Sequence, residues 1–357
     1  MKEITVEELF KLKEPIIIDI RSPIEFNDGA IPGAINVPLF SDEERQEVGT
    51  IYKHEGQAAA KWKAMEFVSP KIPVLLKTIK SYQTNGELVI HCWRGGMRSK
   101  AVVTFLEFAG IYAWRLLGGY KEYRHYILEK IPTSIPNQAV VIHGMTGVGK
   151  TEVLKIIEKK GYPVLDLEEM AGHRGSIFGT IGLGEGHNQK IFDSLLFKGL
   201  QDIKESKYFL VEAESKRIGK AVQPEELMDV KFKGVNIYIH SSLEQRVKHL
   251  VSEYVLKYEQ EDWYHDKICL GIEKVLKRVK DVEIRKRLME TLHEKNYQEM
   301  ITILLEQYYD PRYDYARQEY EGEFFDIFAE NPIDAAAKIA AKLDELSFQP
   351  LLAANKQ

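Results

Sequence analysis

Gly144-Met145-Thr146-Gly147-Val148-Gly149-Lys150-Thr151 is the stretch on which the reading of the fold turns. It fits the pattern G-x-x-x-x-G-K-[ST]. It follows the apolar run Gln138-Ala139-Val140-Val141-Ile142-His143 and precedes an apolar-periodic stretch from Thr151 to about Lys160. A strand, a glycine turn and a helix are therefore expected in succession. Glycines let backbone N–H groups fold around phosphate oxygens, Lys150 supplies a cation, and the Thr151 hydroxyl is a candidate Mg²⁺ ligand. Gly144, Thr146, Gly147, Gly149, Lys150 and Thr151 are thus candidate diphosphate-binding residues. The same cradle suits a nucleotide or any other diphosphate.

Downstream, Pro163 to Leu167, Tyr208 to Glu212 and Val235 to Ile239 read as further short strands, and Leu243 to Tyr309 as largely helical. Pro332 precedes a last alanine-rich helix, Ile333 to Leu346. The helical C-terminal region spans about 243–346. Two polar, glycine-punctuated runs follow strands, Asp166 to Gly179 and Val211 to Gly219, and strand-end loops commonly carry binding residues. Asp166, His173, Arg174, Ser176 and Glu212 are second-tier candidates. Glu212 reads as a metal-side acid or as a solvated strand-end carboxylate. His173 and Arg174 read as partners of an anionic leaving group or as ordinary loop residues.

Upstream, Pro15 to Ile20, Glu87 to His91 and Ala113 to Leu117 alternate with helical stretches such as Ser99 to Phe108, the signature of a mostly parallel α/β sheet. The two-proline run Ile131 to Pro136 is the candidate linker. This gives a first domain over residues 1–130, a linker over 131–136 and a second domain over 137–357. The length of 357 residues suits two domains at about 150 each. With 44% hydrophobic and 29% charged residues, the chain has the profile of a globular protein, not a disordered or fibrous one. No apolar run approaches the roughly 18 residues of a membrane span, and Met1 to Lys13 does not read as a signal peptide. Two cysteines without a C-x-x-C pair exclude a disulfide framework and a cysteine-rich metal site, and point to the cytoplasm.

The second chemical stretch is His91-Cys92-Trp93-Arg94-Gly95-Gly96-Met97-Arg98-Ser99, between a strand and a helix. The N–H groups of a tight glycine turn, a helix N-terminus and Arg94 and Arg98 surround Cys92 in a way that favours a thiolate nucleophile. Gly95, Gly96, Met97 and Ser99 complete the anion loop. Cys269 has no such company and reads as a core residue. Asp19-Ile20-Arg21-Ser22-Pro23-Ile24-Glu25-Phe26 and Gly29-Ala30-Ile31-Pro32-Gly33-Ala34-Ile35-Asn36-Val37-Pro38 resemble the entry signature of rhodanese domains, and Leu117-Gly118-Gly119-Tyr120 their exit motif. In that family the loop cysteine carries sulfur or selenium. Ala30 departs from the usual histidine. The Cys92-to-Arg98 spacing, one residue longer than in many rhodaneses, also fits the His-Cys-x5-Arg-Ser/Thr signature of cysteine phosphatases.

A rhodanese-like domain joined to a P-loop NTPase-like, parallel-sheet domain with a helical C-terminal region, and carrying Tyr308-Tyr309-Asp310-Pro311, resembles the tRNA 2-selenouridine synthase family from about Asp19 to Tyr315. The resemblance implies conversion of wobble 2-thiouridine, at tRNA position 34, to 2-selenouridine through an S-geranylated intermediate. Geranyl diphosphate would sit at the phosphate loop, and selenophosphate near Cys92, Arg94 and Arg98. It implies no tightly bound cofactor, no resident metal beyond Mg²⁺ at Thr151, and no membrane partner. Lys274, Lys277, Arg278, Lys280, Arg285, Lys286 and Arg287 form a basic stretch within a chain of net charge −5. It reads as a tRNA-backbone surface or as a solvated helix face. Trp93, Tyr308 and Tyr309 read as base-stacking platforms or as core. Two other readings stay open, a cysteine phosphatase fused to a nucleotide-binding domain, and a P-loop kinase-like protein with an inert docking module.

Overall fold

Two parallel sheets organise the chain, one in each of two units. The computed structural model describes residues 1–312 and 319–351. Tyr315, where the family resemblance ends, lies outside the described residues. Contacts divide the chain into a unit of Met1–Ile131 with Asp193–Leu195 and a unit of Pro132–Phe192 with Leu196–Gln357.

In the first unit the strands are β1 (Lys2–Ile4), β2 (Ile16–Asp19), β3 (Ile35–Asn36), β4 (Leu88–His91) and β5 (Trp114–Leu116), in the order β1-β5-β4-β2-β3. Every pairing is parallel. Leu88 to His91 are buried at every position, as a central strand covered on both faces requires. Ile18, Ile79, Ile90, Val102 and Leu106 are among the side chains of this core, and each such burial is worth about 1.5–3 kcal/mol before entropy is subtracted. β2 and β4 end in register, Asp19 opposite His91. Cys92 therefore leaves the carboxyl end of the central strand, where open α/β sheets place their ligands. Helix Met97–Phe108 follows it directly.

The second unit contains β6 (Gln138–Gly144), β7 (Val164–Leu165), β8 (Tyr208–Glu212), the antiparallel ribbon β9 (Arg217–Ile218) and β10 (Ala221–Val222), β11 (Val235–His240) and β12 (Phe324–Phe328). The main sheet runs β12-β11-β6-β8-β7, all parallel. Its core joins Val140, Ile142, Leu154, Ile157, Leu210 and Ile237 to Ile339 and Leu343 of the last helix, Pro332–Glu345. A separate helical core gathers Tyr264, Ile268, Ile272, Leu288, Met300 and Leu304.

Two expectations need adjustment, and one strand was not expected. The run Ile131 to Pro136 is not an open loop to its start: helix Gly119–Ser134 carries Pro132 inside it, and only the residues after Ser134 break the helix. The strand expected over Pro163 to Leu167 shrinks to Val164–Leu165, because Asp166 caps a short helix, Leu167–Ala171, by accepting from the Glu169 N–H at 2.8 Å. β12 lacked any preceding sequence signal and pairs at the sheet edge beside β11.

Candidate functional site

The cysteine loop is held by backbone packed on backbone. Gly95 has φ +60° and Gly119 φ +60°. A Cβ on Gly95 would stand 2.6 Å from the Leu116 carbonyl and 2.8 Å from the Gly118 nitrogen, and one on Gly119 would strike the Cys92 carbonyl. Only glycine permits that approach. The Tyr120 N–H then donates to Cys92 O at 2.9 Å and the Lys121 N–H to Trp93 O at 2.8 Å. The exit motif thus turns the loop carbonyls toward helix Gly119–Ser134. Cys92 is buried, and its thiol donates to Ser99 Oγ at 3.3 Å, which donates in turn to Gly96 O at 3.2 Å.

The two arginines separate. Arg94 is exposed at the loop's surface. Arg98 is pinned, with Nη1 donating to Glu25 Oε2 at 2.7 Å and Arg45 Nε 3.5 Å from the other side of that carboxylate. Partial burial works against the Glu25 charge, but Arg98 and Arg45 outweigh it and hold the carboxyl below its usual range. The entry motif is itself a buried ion pair: Arg21 Nε donates to Asp19 at 2.9 Å, Arg21 Nη2 donates to Gly29 O at 2.7 Å, and the guanidinium lies 4.0 Å from the Tyr120 ring centre. Burial opposes the Asp19 charge, and His91 and Arg21 override it, so Asp19 titrates below its usual value. Burial lowers the titration of the His91 ring, with Asp19 opposing it.

In the second unit the phosphate loop turns on Gly144, Gly147 and Gly149, with φ of +148°, +88° and +82°. Lys150 Nζ donates to Gly144 O at 2.9 Å across the loop. A cavity of about 880 Å³ opens beside it. Thr146, Gly147, Gly149, Lys150 and Thr151 line one wall, Arg174 and Ser176 a second, and Arg278, Tyr308 and Tyr309 a third. Arg174 lies 4.9 Å over the Tyr254 ring and Arg278 Nη1 donates to Tyr308 Oη at 3.1 Å. Four cationic side chains, Lys150, Lys155, Arg174 and Arg278, thus face one hollow, which they share with six carboxylates, Glu152, Glu168, Glu169, Glu214, Glu253 and Glu319.

The acids of the lining act on one another. Thr151 Oγ1 donates to Glu168 Oε2 at 2.6 Å. Glu168, not Glu212, is therefore the carboxylate beside the loop hydroxyl. Glu212 is wholly buried, accepts from the Leu167 N–H at 3.3 Å and is not a solvated strand end. Burial, then Asp166 and Glu168, push Glu212 well above the carboxylate range. Burial raises Asp166 to about 6, and burial with Glu214 raises Glu168 to about 7. Asp166 and His173 sit behind the cavity wall; the His173 ring packs on Gly179 and Gly219, and burial lowers its titration.

Sequence reasoning missed Arg246, which gives two nitrogens to Asp310, each at 2.8 Å, and donates from Nη1 to Thr146 O at 3.3 Å. It also missed Lys231, fully buried, donating to Glu214 O at 2.9 Å and lowered to about 8 by burial. Asp310 had a signal, since it lies within Tyr308 to Pro311; Arg246 sits in an ordinary amphipathic helix and had none. The basic stretch divides. Lys274, Lys277, Arg278 and Lys280 are exposed, Arg278 also lining the cavity; Arg285 Nη1 donates to Leu276 O at 3.1 Å, and Lys286 and Arg287 pair with Glu290 and Glu299 at 3.7 and 3.2 Å.

Known proteins resemble this chain over both units. The family model described as the tRNA 2-selenouridine synthase AAA domain matches residues 137–344, and a rhodanese-like domain model matches residues 5–126. The chain belongs to the tRNA 2-selenouridine synthase family. The tRNA 2-selenouridine synthase of Pseudomonas syringae pv. tomato is 32% identical over 350 residues, spanning 88% of this chain and 94% of that protein. The tRNA 2-selenouridine synthase of Bdellovibrio bacteriovorus is 35% identical over 258 residues, 70% of this chain and 67% of that protein. As a tRNA 2-selenouridine synthase family member, the chain carries the cysteine loop in the rhodanese-like match and the whole phosphate cavity in the other. No described helix is long and apolar enough to cross a membrane.

Proposed function

We propose that the chain is a tRNA-modifying enzyme that converts 2-thiouridine at the wobble position to 2-selenouridine in two transfers. The observation that carries this reading is the convergence of Lys150, Arg174 and Arg278 on one cavity at a phosphate loop, in a chain that also presents Cys92 at a strand end. The family's name supports the selenouridine product, and membership favours this reading over the phosphatase and kinase-like ones. In the first transfer the thiouridine sulfur attacks C1 of geranyl diphosphate. The S–C1 bond forms, the C1–O bond breaks, diphosphate departs and the base loses its N3 proton. Lys150, Arg174 and the loop N–H groups stabilise the charge growing on the leaving diphosphate. In the second, selenium from selenophosphate attacks C2, the C2–S bond breaks and geranylthiol leaves; water then releases phosphate from selenium. Cys92 with Arg94 and the Arg98–Glu25 pair forms the selenium-handling loop: the cations hold selenophosphate at C2, and the Cys92 thiol gives its proton to the departing geranylthiolate and regains one from the attacking selenol. Alkylation matters because a thiol is a far better leaving group than sulfide.

Thr151 and Glu168 offer hydroxyl and carboxylate oxygens that suit Mg²⁺, which would neutralise diphosphate charge. Among the described residues no group of three His, Cys, Asp or Glu side chains is arranged around a metal, so diphosphate oxygens and water would complete the shell.

The test is to incubate the protein with a 2-thiouridine anticodon stem-loop and geranyl diphosphate, then weigh the nucleosides. A geranyl mass gain is expected. A folded protein that adds no mass yet binds ATP tightly would return the phosphate loop to a nucleotide.

A further inference from the structure

A second, smaller hollow of about 60 Å³ adjoins the phosphate cavity, and the two share Thr146, Ser176, Leu250, Tyr254 and Tyr309 as walls. Its remaining lining is apolar, chiefly Phe178, Ile268, Met300, Ile301 and Leu304. Neighbouring elements fix its shape. Ile268 comes from helix Tyr264–Leu276 and Met300 and Leu304 from helix Tyr297–Leu304. The Phe178 ring rests against Gly271, where a Cβ would collide with it.

We propose that this slot receives the far end of the prenyl chain whose diphosphate lies on the phosphate loop, and that its depth sets the chain length accepted. The inference rests on the prenyl-transfer reading above and adds the residues that gauge the substrate. At about 10–15 Å³ of such space per water-sized group, 60 Å³ admits about four to six heavy atoms, the size of one five-carbon isoprene unit. The first unit of a ten-carbon chain lies in the main cavity beside Tyr254 and Tyr309, the second fills the slot, and a third finds no room. A nucleobase in the same place would bury its polar edge unpaired against Met300, Ile301 and Leu304. An apolar chain has no such cost.

The experiment compares dimethylallyl, geranyl and farnesyl diphosphates as donors to a 2-thiouridine stem-loop, with inorganic pyrophosphate as a head-group probe. In Met300→Ala the slot deepens, and kcat/KM for the farnesyl donor relative to the geranyl donor rises about tenfold. In Ile268→Phe the slot is filled: KM for the geranyl donor rises about tenfold while the dimethylallyl donor is unaffected. Pyrophosphate inhibits the parent and both variants equally. Variants that bind pyrophosphate as the parent does but keep the parent's ranking of donors overturn the slot alone. A parent that transfers none of the three chains overturns the prenyl reading and this inference with it. Should Ile268→Phe fail to fold, Met300→Ala decides the matter, since removing a side chain leaves the helices free to pack.

Discussion

Arg98 and Glu25 form a two-point ion pair across the mouth of the cysteine loop, with Nη1 2.7 Å from Oε2 and Nη2 3.4 Å from Oε1. One residue opens the loop's helix and the other lies in the entry motif, 73 positions away. The pair fixes the direction of the guanidinium and leaves only part of it for an incoming anion. Glu25→Gln keeps the shape and removes the charge. Selenium transfer to a pre-geranylated stem-loop should slow about tenfold through misplacement of Arg98, with prenyl transfer unchanged. Nucleoside mass spectrometry on both steps reads the difference, and equal rates in variant and parent would remove Arg98 orientation from the mechanism.

Cys92→Ala should spare prenyl transfer and abolish selenium transfer. The side chain is small and buried, and its one hydrogen bond, to Ser99, is weak, so the fold should tolerate the change. Loss of both steps in a well-folded variant would count against one step per loop.

Asp310→Asn strips the charge that balances Arg246, which is buried and braces Thr146 of the phosphate loop. A stability loss of about 3 kcal/mol is expected, together with weaker binding of inorganic pyrophosphate. Urea unfolding and calorimetric titration test the two effects separately. A variant as stable as the parent would show that water satisfies Arg246.

Asp19 gives the pH dependence. Its carboxyl titrates lower in the folded chain than in the unfolded one, where about 3.9 is usual. As pH falls through that value, the unfolded chain takes up the proton first, so stability is lost in acid. The contribution is complete above about pH 5 and disappears below the folded value. Asp19→Asn should be less stable at neutral pH, because Arg21 stays buried without its charge partner, and should show a shallower acid slope. Chemical denaturation at pH 7 and at stepped lower pH measures both, and an unaltered slope would shift the acid sensitivity to other carboxyls.

Lys277 and Arg278 are neighbours with different expected roles. Lys277→Glu should weaken tRNA binding and reduce the salt slope by roughly one unit per lost phosphate contact. Arg278→Gln should raise the KM for the prenyl donor instead, because that side chain faces the cavity. Filter binding across salt concentrations, set beside donor kinetics, separates them; the same effect from both substitutions would make the stretch one surface.

Both glycine loops and their flanking strands were legible in the sequence, because a phosphate-type turn needs glycine at positive φ and a buried parallel strand needs a continuous apolar run. Asp19, Arg21 and Glu25 were legible as a motif, while the pairing of Glu25 with Arg98 was not, since partners 73 residues apart in sequence are joined only by folding. The same holds for Arg246 and Asp310, 64 residues apart. Glu212 ended the strand as expected, but only the tertiary structure decided that it is sealed in the core and that Glu168 meets Thr151. Likewise Lys274 to Arg287 read as one basic run, whereas the turn between two helices puts Arg278 on the cavity's lining and leaves Lys277 off it, both side chains staying exposed. The slot of Phe178, Ile268, Met300, Ile301 and Leu304 was hidden altogether, because apolar side chains lining a hollow and apolar side chains filling a core have the same periodicity. What the sequence alone determined was local: the conformations that single residues and short patterns permit. Which charges meet, which are buried and where space is left depends on contacts between distant segments, and those exist only in the folded chain.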